Sequence, residues 1–339
     1  MRITRLVKIA LGVLVITLGS VAVVWASQRQ PQKYTGQVEK ITVSNIEEYS
    51  TLVWVAEHQG YFTDKGLEVT TKDYQSGKAA ADALLAGEAD ISVSADIVFV
   101  SNSFTHPELK ILGTVATVEN VGLVALKDRG VIKPSDLKGK KIGATKKSVS
   151  EFFLGTFLTF NGLSLADVEV VDLKPKDMGD TLLRGDVDAV STWEPNVFNI
   201  KQQLGNRAIS WPIQSGQRYN MLLLTKEKFL RDHPGAIERF LESIVQAEKF
   251  VRDNNETAKN FIAGKYHYDS LYMESAWPQY SFVVGLSQDL LLTMEDEARW
   301  RIKNKLTDAA TVPNFLNFIY FDALQKVKPE AVTLIHEDR

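Results

Sequence analysis

Leu84-Leu85-Ala86-Gly87-Glu88-Ala89-Asp90 has a gapless counterpart in Leu182-Leu183-Arg184-Gly185-Asp186-Val187-Asp188. In each copy a helical stretch stops at a glycine, the residue that most easily takes the left-handed conformation of a helix C-cap. In each copy an aspartate then opens a short apolar run, Asp90–Ser94 or Asp188–Thr192, that reads as a buried strand. The first run leads into Ser94-Ala95-Asp96 and the second into Thr192-Trp193-Glu194.

The elements around the two copies share an order. KITVSN (40–45) predicts a strand, Thr51–Gln59 a helix ending at Gly60, LEVTTKDY (67–74) a strand, and Ala79–Ala86 a helix. Later, KKIGAT (140–145) predicts a strand, Glu151–Phe160 a helix stopped by Gly162, VEVVDL (168–173) a strand, and a further helix ends at Arg184. Short β-rich runs alternating with helices predict α/β architecture with parallel strands. The period is far longer than a solenoid repeat, so the expectation is two similar lobes. In open parallel sheets, ligands bind beyond the carboxyl ends of the strands. Two facing lobes therefore line one cleft with Asn45–Thr51, Gln75–Lys78 and Ser94–Asp96 on one side. Thr145–Ser150, Pro175–Asp180 and Trp193–Pro195 line the other.

Composition narrows the function. The 339 residues are 45% hydrophobic and 24% charged, with a mean hydropathy of -0.11, which excludes a disordered chain and a polytopic membrane protein. With 39 basic and 42 acidic residues the net charge is -3, so no overall basic field recommends nucleic acid. The absence of cysteine removes disulfides, thiolate catalysis, lipoprotein acylation and Cys-type metal sites. No histidines stand in HxH or HExxH spacing. His58, His106, His233, His267 and His336 are expected at solvated or helix-end positions, and neither a metal nor a cofactor is expected. Trp277, Trp300 and the Phe315/Phe318/Phe321 spacing read as helix packing.

The N-terminus is an address. Arg2, Arg5 and Lys8 precede an uncharged apolar run from Ile9 to Ala26, the pattern of an export signal. Val24-Trp25-Ala26 presents small residues where a signal peptidase cleaves, giving a mature start at Ser27 and a net charge of -6. The run is also long enough for a retained membrane anchor. Both readings place the bulk of the chain outside the cytoplasm. Residues 27–38 read as a polar tether.

GYFTDKGLEV (60–69), LLAGEADISVSAD (84–96), PSDLKGKKIGA (134–144), LLRGDVDAVSTWEP (182–195) and NMLLLTKEKF (220–229) occur in this order. Together they resemble the substrate-binding proteins of ABC importers, specifically the nitrate/sulfonate/taurine and thiamine-precursor group. The resemblance covers roughly Lys40 to Asn254. It implies a type II periplasmic-binding fold, with two lobes joined by two crossing strands. NVGLVALKD (120–128) would be the outgoing crossing and RYNMLLLT (218–225) the return. The implied organisation is a first lobe over 39–125 and 218–339, a second over 126–217, and hinges near 125 and 219. The C-terminal helices, Ala236–Asn254 and Asn314–Val327, would pack on the first lobe. The implied activity is non-enzymatic capture of a small polar solute by a monomer that delivers it to an ABC permease. Pyrimidine-synthesising relatives share the fold but use histidine chemistry, and no histidine falls in the strand-end loops here. A tethered ligand sensor working through another polypeptide is the third reading.

Candidate ligand-binding residues follow from the strand-end loops. Tyr49, Ser50 and Thr51 sit where a strand yields to a helix, as do Lys146, Ser148 and Ser150 in the second lobe, where free N–H groups receive anionic or carbonyl groups. The same hydroxyls are also natural helix caps. Ser76 and Gly77 offer a hydroxyl and a close backbone approach. Ser94, Asp96 and, on the return crossing, Asn220 complete the first lobe. In the second, the resemblance implies that the Trp193–Pro195 loop closes on the ligand, with Trp193 stacking and Glu194 accepting hydrogen bonds. Asp96 and Glu194 have a competing role as caps of the helices they precede.

Overall fold

The computed structural model describes residues 34–335. The expected leader, residues 27–33 of the tether, and His336 lie outside the described residues. Among those described, no helix is long and apolar enough to cross a membrane.

Two mixed sheets carry the structure. The chain begins with β1 (Glu39–Asn45), β2 (Leu67–Asp73), β3 (Ile91–Ala95) and β4 (Leu109–Val118). It continues with β5 (Val121–Leu126), β6 (Lys141–Ala144), β7 (Glu169–Asp172), β8 (Ala189–Trp193) and β9 (Ala208–Pro212), and returns through β10 (Tyr219–Lys226) and β11 (Tyr280–Ser281). The first sheet has the order β11-β4-β10-β3-β1-β2 and the second β7-β6-β8-β5-β9. In each, three parallel strands linked through helices are followed by one antiparallel strand, β10 or β5, that arrives from the other lobe. This is the expected architecture of two similar lobes joined by two crossings.

The repeated heptapeptide has one physical job in both lobes. Gly87 and Gly185 cap their helices at φ 80° and 76°, in the left-handed region. Asp90 then accepts the Thr42 amide at 2.8 Å, and Asp188 accepts the Lys141 amide at 3.0 Å. Each aspartate thus fixes the third strand of its sheet against the first. Alongside, Asp90 N donates to the Thr42 carbonyl and Asp188 N to the Lys141 carbonyl, both at 2.8 Å.

Two expectations shift. The chain changes sheet between Val118 and Val121, not near 125, because Val121–Leu126 pairs with β8 and β9 of the second sheet. The stretch Asn314–Val327 is not one helix. Tyr320 N donates to the Ile111 carbonyl at 2.9 Å, and Ile319 bridges Ile111, so a 3-10 turn (Phe315–Phe318) and a helix (Phe321–Val327) flank an extended link. The helix Pro234–Asp253 packs on Thr51–His58 of the first lobe, with Phe62 stacked on Phe240 at 5.1 Å. Pro234 occupies its first turn, where the missing N–H costs nothing.

Candidate ligand cleft

A cavity of about 30 Å³ lies between the sheets, with room for roughly one or two waters. Ile46, Tyr49, Gly77, Lys78, Ala95, Val98, Tyr219 and Met221 wall it from the first lobe, and Ser148, Val149 and Trp193 from the second. A wider mouth of about 550 Å³ opens between Asp73–Ser76, Lys78 and Asp82 on one side and Thr145, Asp172, Lys174 and Pro175 on the other. Lys78 borders both spaces, and its ammonium is held by Asp82 at 2.7 Å. The helices Gly77–Ala86 and Val149–Phe160 begin at the cavity, so first-turn amides without intrahelical acceptors face it from both lobes. Its aromatic and amide-rich walls match the chemistry of a small solute with an apolar body and a polar or anionic end, which the walls must part to admit.

The lobes touch directly around this chamber. Tyr49 donates to the Glu194 carbonyl at 2.8 Å. Phe198 meets Tyr272 edge-on at 5.4 Å, and Phe152 meets Trp300 edge-on at 5.1 Å. Trp300 covers Gly155, where any side chain would collide with the indole. Arg301 reaches Glu151 across the interface at 3.5 Å. Trp300 is therefore an interlobe contact as well as a packing residue.

Of the candidates from sequence, the fold brings Tyr49, Gly77, Ser148 and Trp193 to the cavity, and Ser76 to its mouth. The others are turned to local work. Ser50 Oγ accepts the Ile46 amide and Ser150 Oγ accepts the Thr145 amide, each at 2.9 Å, a matched pair that shapes the strand-end turn in both lobes. Thr51 donates to the Glu48 carbonyl, and Ser94 to the Gly77 carbonyl at 2.8 Å. Lys146 is exposed, its amide held by Asp172. Ser76 and Ser148 cap their helices through the amides of Ala79 and Ser150.

Asp96 and Glu194, at the matching strand ends of the two lobes, are both engaged by the protein. Asp96 is buried and accepts the Ile97 amide at 2.9 Å, then the amide and side-chain Nδ2 of Asn220 at 2.7 and 2.8 Å. Burial raises its pKa despite these bonds, and Glu297 shares a hydrogen bond with it. Burial, and then the Asp96 charge, push Glu297 well above the usual carboxylate range. Glu194 Oε2 accepts the Phe198 amide at 2.9 Å, capping the helix Asn196–Leu204. Glu194→Gln is expected to lower apo stability by about 0.5–1 kcal/mol through the weakened cap, read by a melting curve.

Sequence reasoning missed Tyr219, Met221 and Val98 at the cavity, while Ile46 and Val149 fall in strand-end loops it set along the cleft without naming them as binding residues. It also missed Asn120, whose Nδ2 donates to Tyr49 at 2.6 Å and to Tyr280 at 2.9 Å, while its Oδ1 accepts from Tyr219 at 2.9 Å. One amide at the crossing thus orients both cavity tyrosines. Among the described residues no group of three or more His, Asp or Glu is placed to hold a metal ion.

The chain resembles known binding proteins in sequence and in fold. A protein of Bacillus subtilis called a putative aliphatic sulfonates-binding protein is 24% identical over 279 residues, spanning 80% of this chain and 83% of that one. The taurine-binding periplasmic protein of Escherichia coli is 24% identical over 190 residues, 55% of this chain and 58% of its own. The solved alkanesulfonate-binding protein SsuA from Xanthomonas axonopodis pv. citri, bound to MOPS, superposes with a TM-score of 0.72 at 16% identity. That match covers 84% of this chain and 99% of that one, and it shows a common fold. Residues 47–258, more than half of the sequence, match the family described as NMT1/THI5 like, and the chain belongs to that family.

Proposed function

We propose that the protein is the extracytoplasmic solute-binding component of an ABC importer, and that it captures a small polar organic solute by closing its lobes. The observation that carries this is one cavity walled by Tyr49, Gly77 and Tyr219 from one lobe and Ser148 and Trp193 from the other. A site shared in this way forms only when the lobes come together, which couples binding to closure. The named relatives are called sulfonates-binding and taurine-binding proteins, and the helix N-termini at the cavity suit a sulfonate or carboxylate end. An aminopyrimidine-like solute would stack on Trp193 once the walls part to admit it. The binding residues we propose are Tyr49, Gly77, Ser148, Trp193 and Tyr219, with Ser76 and Lys78 at the mouth. The partner is a permease, the working form is a monomer, and the 9–26 segment either directs export or tethers the protein outside the membrane.

Calorimetric titration with taurine, linear alkanesulfonates, nitrate and an aminopyrimidine tests this reading, alongside X-ray scattering. One of these is expected to bind one-to-one with a smaller radius of gyration. Binding of none, or binding without compaction, contradicts it.

A further inference from the structure

Glu48 lies in the turn after β1, 1% exposed, with three phenols from beyond residue 265 around its carboxyl group. Tyr272 and Tyr280 each donate to Oε1 at 2.8 Å. Tyr268 stands 2.6 Å from Oε2 of Glu48 and 2.7 Å from Oε2 of Glu47. Both separations are those of short O–H···O bonds, and each bond needs a proton. Tyr268 has one to give. The second must ride on a carboxyl group, so the three side chains together hold one proton more than two carboxylates and a phenol would.

This group is connected to the contact between the lobes. Tyr280 accepts from Asn120, which stands in the crossing from β4 to β5. The same Asn120 amide donates to Tyr49, and Tyr49 donates to the Glu194 carbonyl in the second lobe. Tyr272 packs on Phe198 of the second lobe. Parting the lobes breaks the Tyr49–Glu194 bond and uncovers Tyr272, admitting water toward Glu48.

We propose that Glu47, Tyr268 and Glu48 form a one-proton binding site whose occupancy favours the closed arrangement, so that closing takes up a proton and rising pH opens the cleft. The proposal rests on the closing motion inferred above, not on the identity of the solute. The groups facing the site are acidic or phenolic on every side. Tyr49 comes from the same turn, Asp73 from the end of β2, Tyr266 from the helix Asn255–Tyr266, and Tyr272 from the next helix. Tyr280 comes from β11, Tyr219 from β10 and Glu194 from the second lobe. No basic group is among the main influences on either carboxyl. Lys265 sits over the Trp54 ring at 3.5 Å and acts on Asp73 and Glu57, and His267 is exposed. Burial, and then the Glu47 charge, raise Glu48 to about 7, while burial also raises Glu47. Opening relieves part of that burial and lowers the carboxyl pKa toward its ordinary value. The closed form therefore binds the proton more tightly, and closure weakens as pH rises between the open-state and closed-state values.

The chain has no native cysteine, so spin labels at Asp82→Cys and Lys174→Cys, on opposite sides of the mouth, report lobe separation without added solute. Between about pH 5 and about pH 8 the closed-to-open ratio is expected to fall, roughly tenfold for each unit by which closure raises the pKa. Glu48→Gln imitates the protonated carboxyl, since its Nε2 donates where Oε2–H would, and is expected to hold the low-pH distribution at both pH values. An unchanged distance distribution across this range, or a Glu48→Gln protein that shifts as much as the parent, overturns the proposal. Failure of every solute in the titration panel leaves this readout untouched, so the two inferences fail separately.

Discussion

Arg301→Ala is expected to destabilise the protein by about 3–5 kcal/mol, the cost of leaving a buried ionic partner uncompensated. Arg301 is 2% exposed on the helix Gln288–Lys303, and its partner Glu151, equally buried, opens the helix Val149–Phe160 of the other lobe. Its Nη2 also donates to the Leu306 carbonyl at 2.9 Å, closing the turn that ends its helix. Burial lowers the arginine pKa from its ordinary value, but a guanidinium stays charged. Truncation strands Glu151 with only the Lys147 amide, at 2.8 Å, as a charge-relieving donor. It also removes the cation from beside Glu297. Urea denaturation measures the loss directly. Replacing both partners, Arg301→Met with Glu151→Leu, should recover most of it, because a well-packed apolar pair carries no desolvation cost. A single-variant loss under about 1 kcal/mol contradicts the contact.

Trp193→Ala is expected to weaken solute binding by about ten- to a hundredfold, or about 1.4–2.8 kcal/mol. The indole is the largest cavity wall contributed by the second lobe, at the end of β8 and beside the helix N-terminus at Val149. Trp193 is 8% exposed, so its truncation also lowers the melting temperature through lost packing. Trp193→Phe separates the two effects. It keeps an aromatic surface and most of the packing, and should lose far less affinity than the alanine variant. Equal affinity in parent and alanine variant, measured by calorimetry, removes Trp193 from the site.

What was legible in the sequence is what local chemistry determines. The heptapeptide repeat revealed two lobes because each aspartate must bond the neighbouring first strand, and each glycine must turn out of a helix. Gly60, Gly87 and Gly185 marked helix ends for the same reason. Tyr49 and Trp193 were legible because strand-end loops face the cleft in this architecture. Ser50, Thr51, Ser94, Ser150, Asp96 and Glu194 carried equally good local signals, and the structure binds each to a nearby backbone amide or carbonyl. A cap and a ligand contact draw on the same residue types, so spacing alone does not separate them. The remainder depends on partners far along the chain. Glu48 finds Tyr272 and Tyr280 more than 200 positions away, Arg301 finds Glu151 in another lobe, and Asn120 gathers three tyrosines at a crossing. The break at Ile319 has the same origin, since the link is held by Ile111 in β4.

Hydrogen–deuterium exchange with and without taurine, or with whichever member of the panel binds most tightly, tests the central claim most directly. Binding in the interlobe cavity predicts slowed exchange together in the segments around Tyr49, Gly77, Ser148 and Trp193, two from each lobe. Slowing confined to one lobe, or centred on the distant groove that Lys110, Arg231 and Lys326 line, would contradict it.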